Sequence, residues 1–264
     1  MDLKLKGKKA FISGSTAGIG YAIASRFLAE EAEVIINGRT LQSVNSAIET
    51  LKSSHPNGII SGVAADFSKV EDVNRLLQEI PEVDILINNA GIFEPKAFTE
   101  IPDEDWFRFF EINVMSGVRL SRFYFPKMIG KNWGRIIFIS SESGVFIPEE
   151  MIHYGMTKTA QLAVSRGLAE LTKGSAVTVN TILPGPTNSK GVGQFVKDLA
   201  ASERKTVDEV EQEFFQKMRP TSLIQRFATV EEVADTVVYY SSPLASATNG
   251  AAIRVEGGLV KSII

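Results

Sequence analysis

Short apolar runs recur along the chain at residues 10–13, 33–37, 62–65, 85–88, 135–140, 177–183 and 252–255, with helical patterns between them. Runs this short and this apolar suit strands buried on both faces. Their alternation with helices predicts a parallel sheet covered on both sides: an α/β fold of the Rossmann-type, doubly wound, in three αβα layers. In such a sheet ligands bind beyond the carboxyl ends of the strands. Helix starts are marked by Ser or Thr followed three residues later by Glu, at Ser68 and Glu71, Thr206 and Glu209, and Thr229 and Glu232, each a candidate capping box. The least regular stretch, 184–226, holds an expected helix over about 207–218 with an apolar face of Val207, Val210, Phe214 and Phe215.

No repeat, low-complexity tract or Pro/Gly linker divides the chain, so residues 1–264 are expected to form a single domain, with 184–226 as a substrate-binding lid. Phe195, Val196, Leu199, Phe214 and Phe215 in that stretch suggest an apolar site, unless those on the helix serve only to pack it down. The 44% hydrophobic content over 264 residues is enough for one sizeable core.

Composition removes several kinds of chemistry. There is no cysteine and there are only two histidines, His55 and His153, so disulfides and Cys/His zinc sites are excluded and no metal is expected. A formal net charge of −3 argues against nucleic-acid binding, and the basic run Lys4, Lys6, Lys8 and Lys9 reads as a solvated edge. No stretch approaches ~18 consecutive apolar residues. The first nine residues alternate charged and apolar side chains without the apolar run of a secretory signal, so a soluble cytoplasmic protein with no membrane association is expected.

After the first run comes Gly14-Ser15-Thr16-Ala17-Gly18-Ile19-Gly20, then a helical pattern over 22–29. Glycines there let the backbone turn tightly and approach a pyrophosphate, and the helix N-terminus offers unpaired amides. A tight strand-to-helix turn also needs glycine for its own sake, but the place between first strand and first helix favours a dinucleotide. The segment lacks the Gly-Lys-Ser/Thr of a Walker loop, and Thr16 stands where a nucleophile elbow needs serine. The second strand ends Asn37-Gly38-Arg39. An acid there would take hydrogen bonds from a ribose 2′-hydroxyl, whereas Arg39 can pair with a 2′-phosphate and Gly38 leaves room for it; NADP(H) is favoured over NAD(H). Otherwise Arg39 is an exposed residue at a loop.

Tyr154 and Lys158 are one helical turn apart and share a face. A cation beside a phenol stabilises phenolate and should lower the tyrosine pKa from about 10.

Gly14 to Gly20, Asp66, Asn88-Asn89-Ala90-Gly91, Asn113, Ser140-Ser141, Tyr154 to Lys158, Pro184-Gly185 and Val255-Glu256-Gly257-Gly258 occur in this order. Together they make the chain, from about Lys6 to Gly258, resemble the short-chain dehydrogenase/reductase family. The resemblance implies an NAD(P)-dependent oxidoreductase that transfers a hydride to or from a small carbonyl or secondary alcohol substrate. It is similar in general to 3-oxoacyl-acyl-carrier-protein reductases and related ketoreductases, with hydroxybutyrate and sugar-alcohol dehydrogenases among them.

Residue by residue, the resemblance implies that Ser141 would hydrogen-bond the substrate oxygen and Tyr154 would exchange a proton with it. Lys158 would lower the tyrosine pKa and bind the nicotinamide ribose, and Asn113 would hold a water that links the lysine to solvent. Gly14, Ser15, Thr16, Gly18, Ile19 and Gly20 would cradle the cofactor, with Arg39 at its ribose. Asp66 would meet the adenine amino group with Phe67 beside it, and Asn89, Ala90 and Gly91 would pack near the adenine ribose. Beyond Pro184 and Gly185, Thr187 or Ser189 would hold the carboxamide. Each has a plainer role open to it: Asn113 as a helix cap or kink, Asn88-Asn89 as a turn, Pro184-Gly185 as a strand end. The family further implies a homodimer or homotetramer built through the helices of Asn113 and Tyr154 and the last strand.

Departures from the pattern matter too. Ser13 replaces a threonine, a hydroxyl-for-hydroxyl change that should leave the turn intact. Ala17 stands where many NADP users carry Arg or Lys. Glu142 is an unusual acid beside Ser141 that either discourages anionic substrates or faces solvent. His153 reads as a packed or interface residue rather than a second base. An acidic acyl-carrier partner would want basic residues at the entrance, for which Lys127 and Lys131 are candidates, with Glu170 weighing against. The competing class is a catalytically silent nucleotide-binding regulatory protein of the same fold; degraded catalytic positions would mark it, and here all four are intact.

Overall fold

The computed structural model describes residues 1–263, with the side chains of Lys190, Gln194, Phe195, Asp198 and Leu199 outside that description. Its elements run β1 (Lys9–Ile12), α1 (Gly18–Ala29), β2 (Glu33–Gly38), α2 (Leu41–Ser54), β3 (Ile60–Ala64), α3 (Val70–Glu79), β4 (Ile85–Asn88), α4 (Asp103–Phe110) and α5 (Ser116–Gly130). There follow β5 (Gly134–Ile139), α6 (Ile152–Glu170), β6 (Val177–Pro184), α7 (Lys190–Glu203), α8 (Val207–Lys217), α9 (Val230–Tyr240) and β7 (Ala252–Val255). The strands form one parallel sheet in the order β3-β2-β1-β4-β5-β6-β7. After β3 the chain crosses back to place β4 beside β1, so the winding reverses between these two strands and a crevice opens beyond their carboxyl ends.

Because successive side chains of a strand point to opposite faces, the apolar runs divide into two cores. Ile12, Val34, Ile36, Ile85, Ile87 and Ile137 pack with Ile23 and Phe27 of α1 and Val237 of α9. The intervening Phe11, Ile35, Leu86, Ile136 and Phe138 pack on the other face with Leu120 and Tyr124 of α5. All seven expected strands are present, their boundaries displaced by one or two residues at most.

Two of the three expected capping boxes form: Thr206 with Glu209 opens α8, and Thr229 with Glu232 opens α9. The third does not. Ser68 donates both its amide and its hydroxyl to Asp66 Oδ1, at 3.0 and 2.8 Å, and α3 starts after Lys69 without a side-chain cap. The local side-chain turn at Asp66 wins over the cap.

The segment 184–226 is more regular than its sequence suggests, since it contains α7 as well as α8. Val196, Ala200, Val210, Phe215 and Phe227 form a third apolar cluster with Val192 and Phe214 against it, and Phe214 stacks on Phe227 at 5.1 Å between centroids. Val196, Phe214 and Phe215 therefore hold the two helices together rather than line an apolar site. Val207 is exposed and does not join that face, while Phe195 and Leu199 lie outside the described side chains.

His153 of α6 is fully buried, its ring 4.1 Å from that of Phe109 and 5.9 Å from that of Trp106. Neither ring nitrogen has a protein partner. It is a packing residue, and burial pulls its pKa below the ordinary value although Asp105 and Glu94 favour the charged form; Lys96 and Arg108 oppose it. A histidine kept neutral in the fold lets the unfolded chain bind the extra proton, so stability should fall as pH drops below about 6.5. His153→Phe should flatten that acid-side loss, and at neutral pH recover part of the ~1–3 kcal/mol that buried unpaired polar groups cost. Thermal denaturation of both proteins between about pH 5 and pH 8 checks this; parallel curves would show that His153 does not titrate.

Candidate active site

The turn after β1 is locked from within. Gly14 has φ +61°, and a Cβ on it would come within 3.0 Å of Ala90 Cα. Asn89 Nδ2 donates to the carbonyls of Ser13 and Gly14, at 3.0 and 2.8 Å, and a Cβ on Gly20 would lie 2.5 Å from that nitrogen. Ser13 Oγ donates to Ile87 O and accepts from the amides of Asn89 and Ala90, at 2.9 and 3.0 Å. Serine thus does at this position what a threonine hydroxyl would do. Ser15 is fully buried, donating to Ile12 O and accepting from the Asn37 amide, so its side chain stiffens the turn.

What the turn leaves open is the start of α1. Ala17 precedes it, no side chain caps it, and its first turn has no acid. Unpaired amides with a positive helix end and no competing carboxylate suit a pyrophosphate, so these residues fit a dinucleotide. At the end of β2, a Cβ on Gly38 would meet Thr16 Cγ2 at 2.5 Å and Ser43 Oγ at 2.9 Å, which requires glycine there; Arg39 beyond it is exposed. Asp66 holds Ser68 through Oδ1, and the ring of Phe67 is buried in the second core cluster.

The catalytic candidates converge at the carboxyl ends of β4 and β5. Between α4 and α5 the backbone of Glu111–Met115 is π-helical, and Asn113 sits at its centre. Such a bulge redirects one residue of an otherwise regular helix. Asn113 Oδ1 accepts from Ile92 N at 2.8 Å, while its Nδ2 donates to Ile92 O and Thr157 Oγ1, both at 3.0 Å. The side chain thereby fixes the loop after β4 in place.

Lys158 is 4% exposed, and Nζ donates to Ile139 O at 2.9 Å and to Gln161 Oε1 at 3.3 Å. It lies 5.5 Å from the centroid of the Tyr154 ring, and a Cβ on Gly91 would be 3.6 Å from it. Gln161 Nε2 in turn donates to Asn113 O at 2.6 Å. A side-chain amide therefore bridges the lysine and the Asn113 carbonyl. Gln161 escaped the sequence reading; its one signal there is its place a helical turn beyond Lys158.

Burial brings the Lys158 ammonium down to about 8, with the Glu142 charge opposing. Burial, then the charge of Glu142, push the Tyr154 phenol above its ordinary value, with Ser141 pulling the other way. The lowered phenol expected from sequence is not what the protein alone provides, because desolvation of a phenolate outweighs a lysine whose hydrogen bonds go to Ile139 and Gln161.

Ser141 accepts from Ser143 N at 3.1 Å and donates to Glu142 Oε2. Glu142 is 5% exposed, which rules out the solvent-facing alternative, and burial raises its pKa. Arg219, from the segment after α8, is equally enclosed; it lies 3.8 Å from Glu142 Oε1 and 3.1 Å from Glu150 Oε1. No local pattern announces Arg219.

Beyond β6, Gly185 packs on the backbone of Glu256, where a Cβ would lie 2.7 Å from Glu256 Cα. Thr187 donates to Gly185 O at 2.9 Å, and Ser189 caps α7 close to Gly18. The segment 184–226 thus starts over the glycine-rich turn. Lys127 and Lys131 are elsewhere: they hold Pro81 O and Glu82, ahead of β4 at the amino edge of the sheet, so they cannot serve the entrance.

The sequence profile of the short chain dehydrogenase family matches residues 8–200. The chain is 52% identical over 263 residues to the oxidoreductase YvaG of Bacillus subtilis (strain 168), with 100% of each covered. It is 31% identical to the 3-oxoacyl-[acyl-carrier-protein] reductase FabG of Aquifex aeolicus (strain VF5), covering 98% of this chain and all of that one. The crystal structure of L-sorbose reductase from Gluconobacter frateurii, complexed with NADPH and L-sorbose, superposes with a TM-score of 0.92 at 31% identity over 100% of both chains. With the glycine-rich turn at the winding reversal and the Ser141, Tyr154 and Lys158 cluster beside it, the chain belongs to the short-chain dehydrogenase family of NAD(P)-dependent oxidoreductases.

Proposed function

We propose that this chain transfers a hydride between NADP(H) and a carbonyl or secondary alcohol, with Tyr154 as acid/base. The observation that carries this reading is the buried Lys158 ammonium beneath the Tyr154 ring, next to Ser141 and the side-chain-free Gly91. A nicotinamide cofactor bound here supplies or takes up the hydride. The amides at the start of α1 hold its pyrophosphate, and Lys158 its ribose. Ser141 donates to the carbonyl oxygen of the substrate, and the Tyr154 hydroxyl gives that oxygen a proton; in oxidation the phenolate takes it back. In the protein alone burial makes the phenol hold its proton more firmly. Approach of the ammonium to the phenolate then eases loss of the proton.

NADP(H) is favoured over NAD(H) by exposed Arg39 at the end of β2, and the L-sorbose reductase it resembles was seen with NADPH; Gly38 is needed for packing against Thr16 and Ser43 and adds nothing to the preference. The segment 184–226 acts as a lid whose two helices move as one body, since they share their own apolar cluster. Exposed Phe107 and Phe110 on α4 support assembly into a homodimer or homotetramer. No helix among the described residues is long and apolar enough to cross a membrane.

If Arg39 reads the 2′-phosphate, Arg39→Ala should reduce the NADPH over NADH affinity ratio by about tenfold or more, as expected for a charge-assisted pair. Titration of both cofactors decides it; equal affinities in the unaltered protein would refute the preference. Amide exchange across α7 and α8 should slow when cofactor is added. Equal, strong protection with and without cofactor would mean a rigid wall.

Tyr154→Phe removes only a hydroxyl, so cofactor binding should persist while turnover falls by ~10²–10⁴-fold. Lys158→Ala should lose cofactor affinity as well. Steady-state rates on an identified substrate, with cofactor titrations, separate the two. Near-normal reduction by Tyr154→Phe would overturn the mechanism, and a nucleotide-sensing protein would tolerate the change without consequence.

A further inference from the structure

Ser141 Oγ has one proton to donate, and in the protein alone it goes to Glu142 Oε2. The mechanism proposed above, on which this inference rests, sends that proton to the substrate oxygen instead. Glu142 then loses its principal hydrogen-bond donor while only 5% exposed. Arg219 faces the other carboxylate oxygen across 3.8 Å and holds Glu150 more closely, at 3.1 Å. Ser143 also donates to the carboxylate, through a hydroxyl and through an amide that it shares with Ser141, and these are weaker than the Ser141 bond. A buried carboxylate that loses its strongest donor is destabilised, so a substrate that restores one is selected over a substrate that does not.

We propose that Glu142 accepts a hydrogen bond from a hydroxyl on the carbon next to the reacting carbon, so that the substrate is a neutral α-hydroxy ketone, or in the reverse direction a vicinal diol. The two neighbouring oxygens of such a molecule lie about one hydrogen-bond length apart, as do Ser141 Oγ and Glu142 Oε2. The pairs match: Ser141 donates to the carbonyl while the adjacent hydroxyl donates to Glu142. A plain ketone or a 3-oxoacyl thioester brings no donor to that place. A 2-oxo acid brings a second negative charge to it. Arg219, shared between Glu142 and Glu150, leaves no surplus positive charge there for such an anion.

The test compares hydroxyacetone, methoxyacetone and acetone as substrates of the unaltered enzyme, with NADPH and with NADH. Methoxyacetone keeps the second oxygen but cannot donate. A 3-oxoacyl thioester is run alongside. The expected kcat/KM for hydroxyacetone exceeds that for methoxyacetone and acetone by about 100-fold or more, and that for the thioester as well. Glu142→Gln, whose amide is a weaker acceptor, should cut the preference at least about tenfold while still binding cofactor. Should that variant not fold, the ratios from the unaltered enzyme decide alone. Three ketones reduced at similar kcat/KM, or a thioester reduced faster than hydroxyacetone, overturns the role of Glu142 and leaves the reductase reading standing. No turnover of any of these carbonyls or of the matching alcohols, with either cofactor, overturns both.

Discussion

Lys158 is an ammonium group with 4% exposure whose hydrogen-bond partners are uncharged: the Ile139 carbonyl and the Gln161 amide oxygen. Burying a cation this way is unfavourable, and desolvation draws its pKa down to about 8 against the opposing charge of Glu142. The surroundings are built to this constraint. The strand β5 must end where its last carbonyl faces the ammonium. The loop after β4 passes close by at Gly91, where a Cβ would lie 3.6 Å from Nζ, and a Cβ on Gly144 would crowd the Lys158 carbonyl carbon at 3.0 Å. The π-helical turn at Asn113 then secures that loop through Ile92 and offers its carbonyl to Gln161. Four separate segments converge on one charge.

The glycine-rich turn is fixed by a second, uncharged network. Ser13, Asn89 and Asn37 take up inner polar groups of the turn, and the amides at the start of α1 are left without a side-chain cap. Rigidity inside and open amides outside are what a pyrophosphate site needs. The segment 184–226 is the opposite case. Its helices form a core of their own, separate from the two that pack on the sheet, and the buried Arg219 ties them to Glu142 and Glu150. Ser141 and the segment 184–226 are thus linked through one carboxylate.

Features that depend on neighbours in the chain were legible in the sequence. Apolar runs marked the strands because a doubly covered parallel sheet buries both faces of each. Thr206 and Thr229 marked helix starts because a capping box is closed within four residues, and Tyr154 and Lys158 share a face because a helix has a fixed pitch. Where two local preferences competed the reading failed: Asp66 captured Ser68 before it could cap α3. The helix α7 went unread because Gly191 and Gly193 weaken its propensity and its apolar residues make sense only against α8 and Phe227.

The chemistry of the site divides along the same line. The sequence by itself determined the sheet, the glycine-rich turn after β1 and the shared helix face of Tyr154 and Lys158, because each is a pattern of residue types at fixed spacing. Only the tertiary structure decided that Gln161 stands between Lys158 and Asn113, that Glu142 is buried against Ser141 with Arg219 behind it, and that the Tyr154 phenol is raised rather than lowered. Those facts follow from desolvation and from contacts between residues distant in the chain, such as Glu142 and Arg219, and neither quantity exists until the chain is folded.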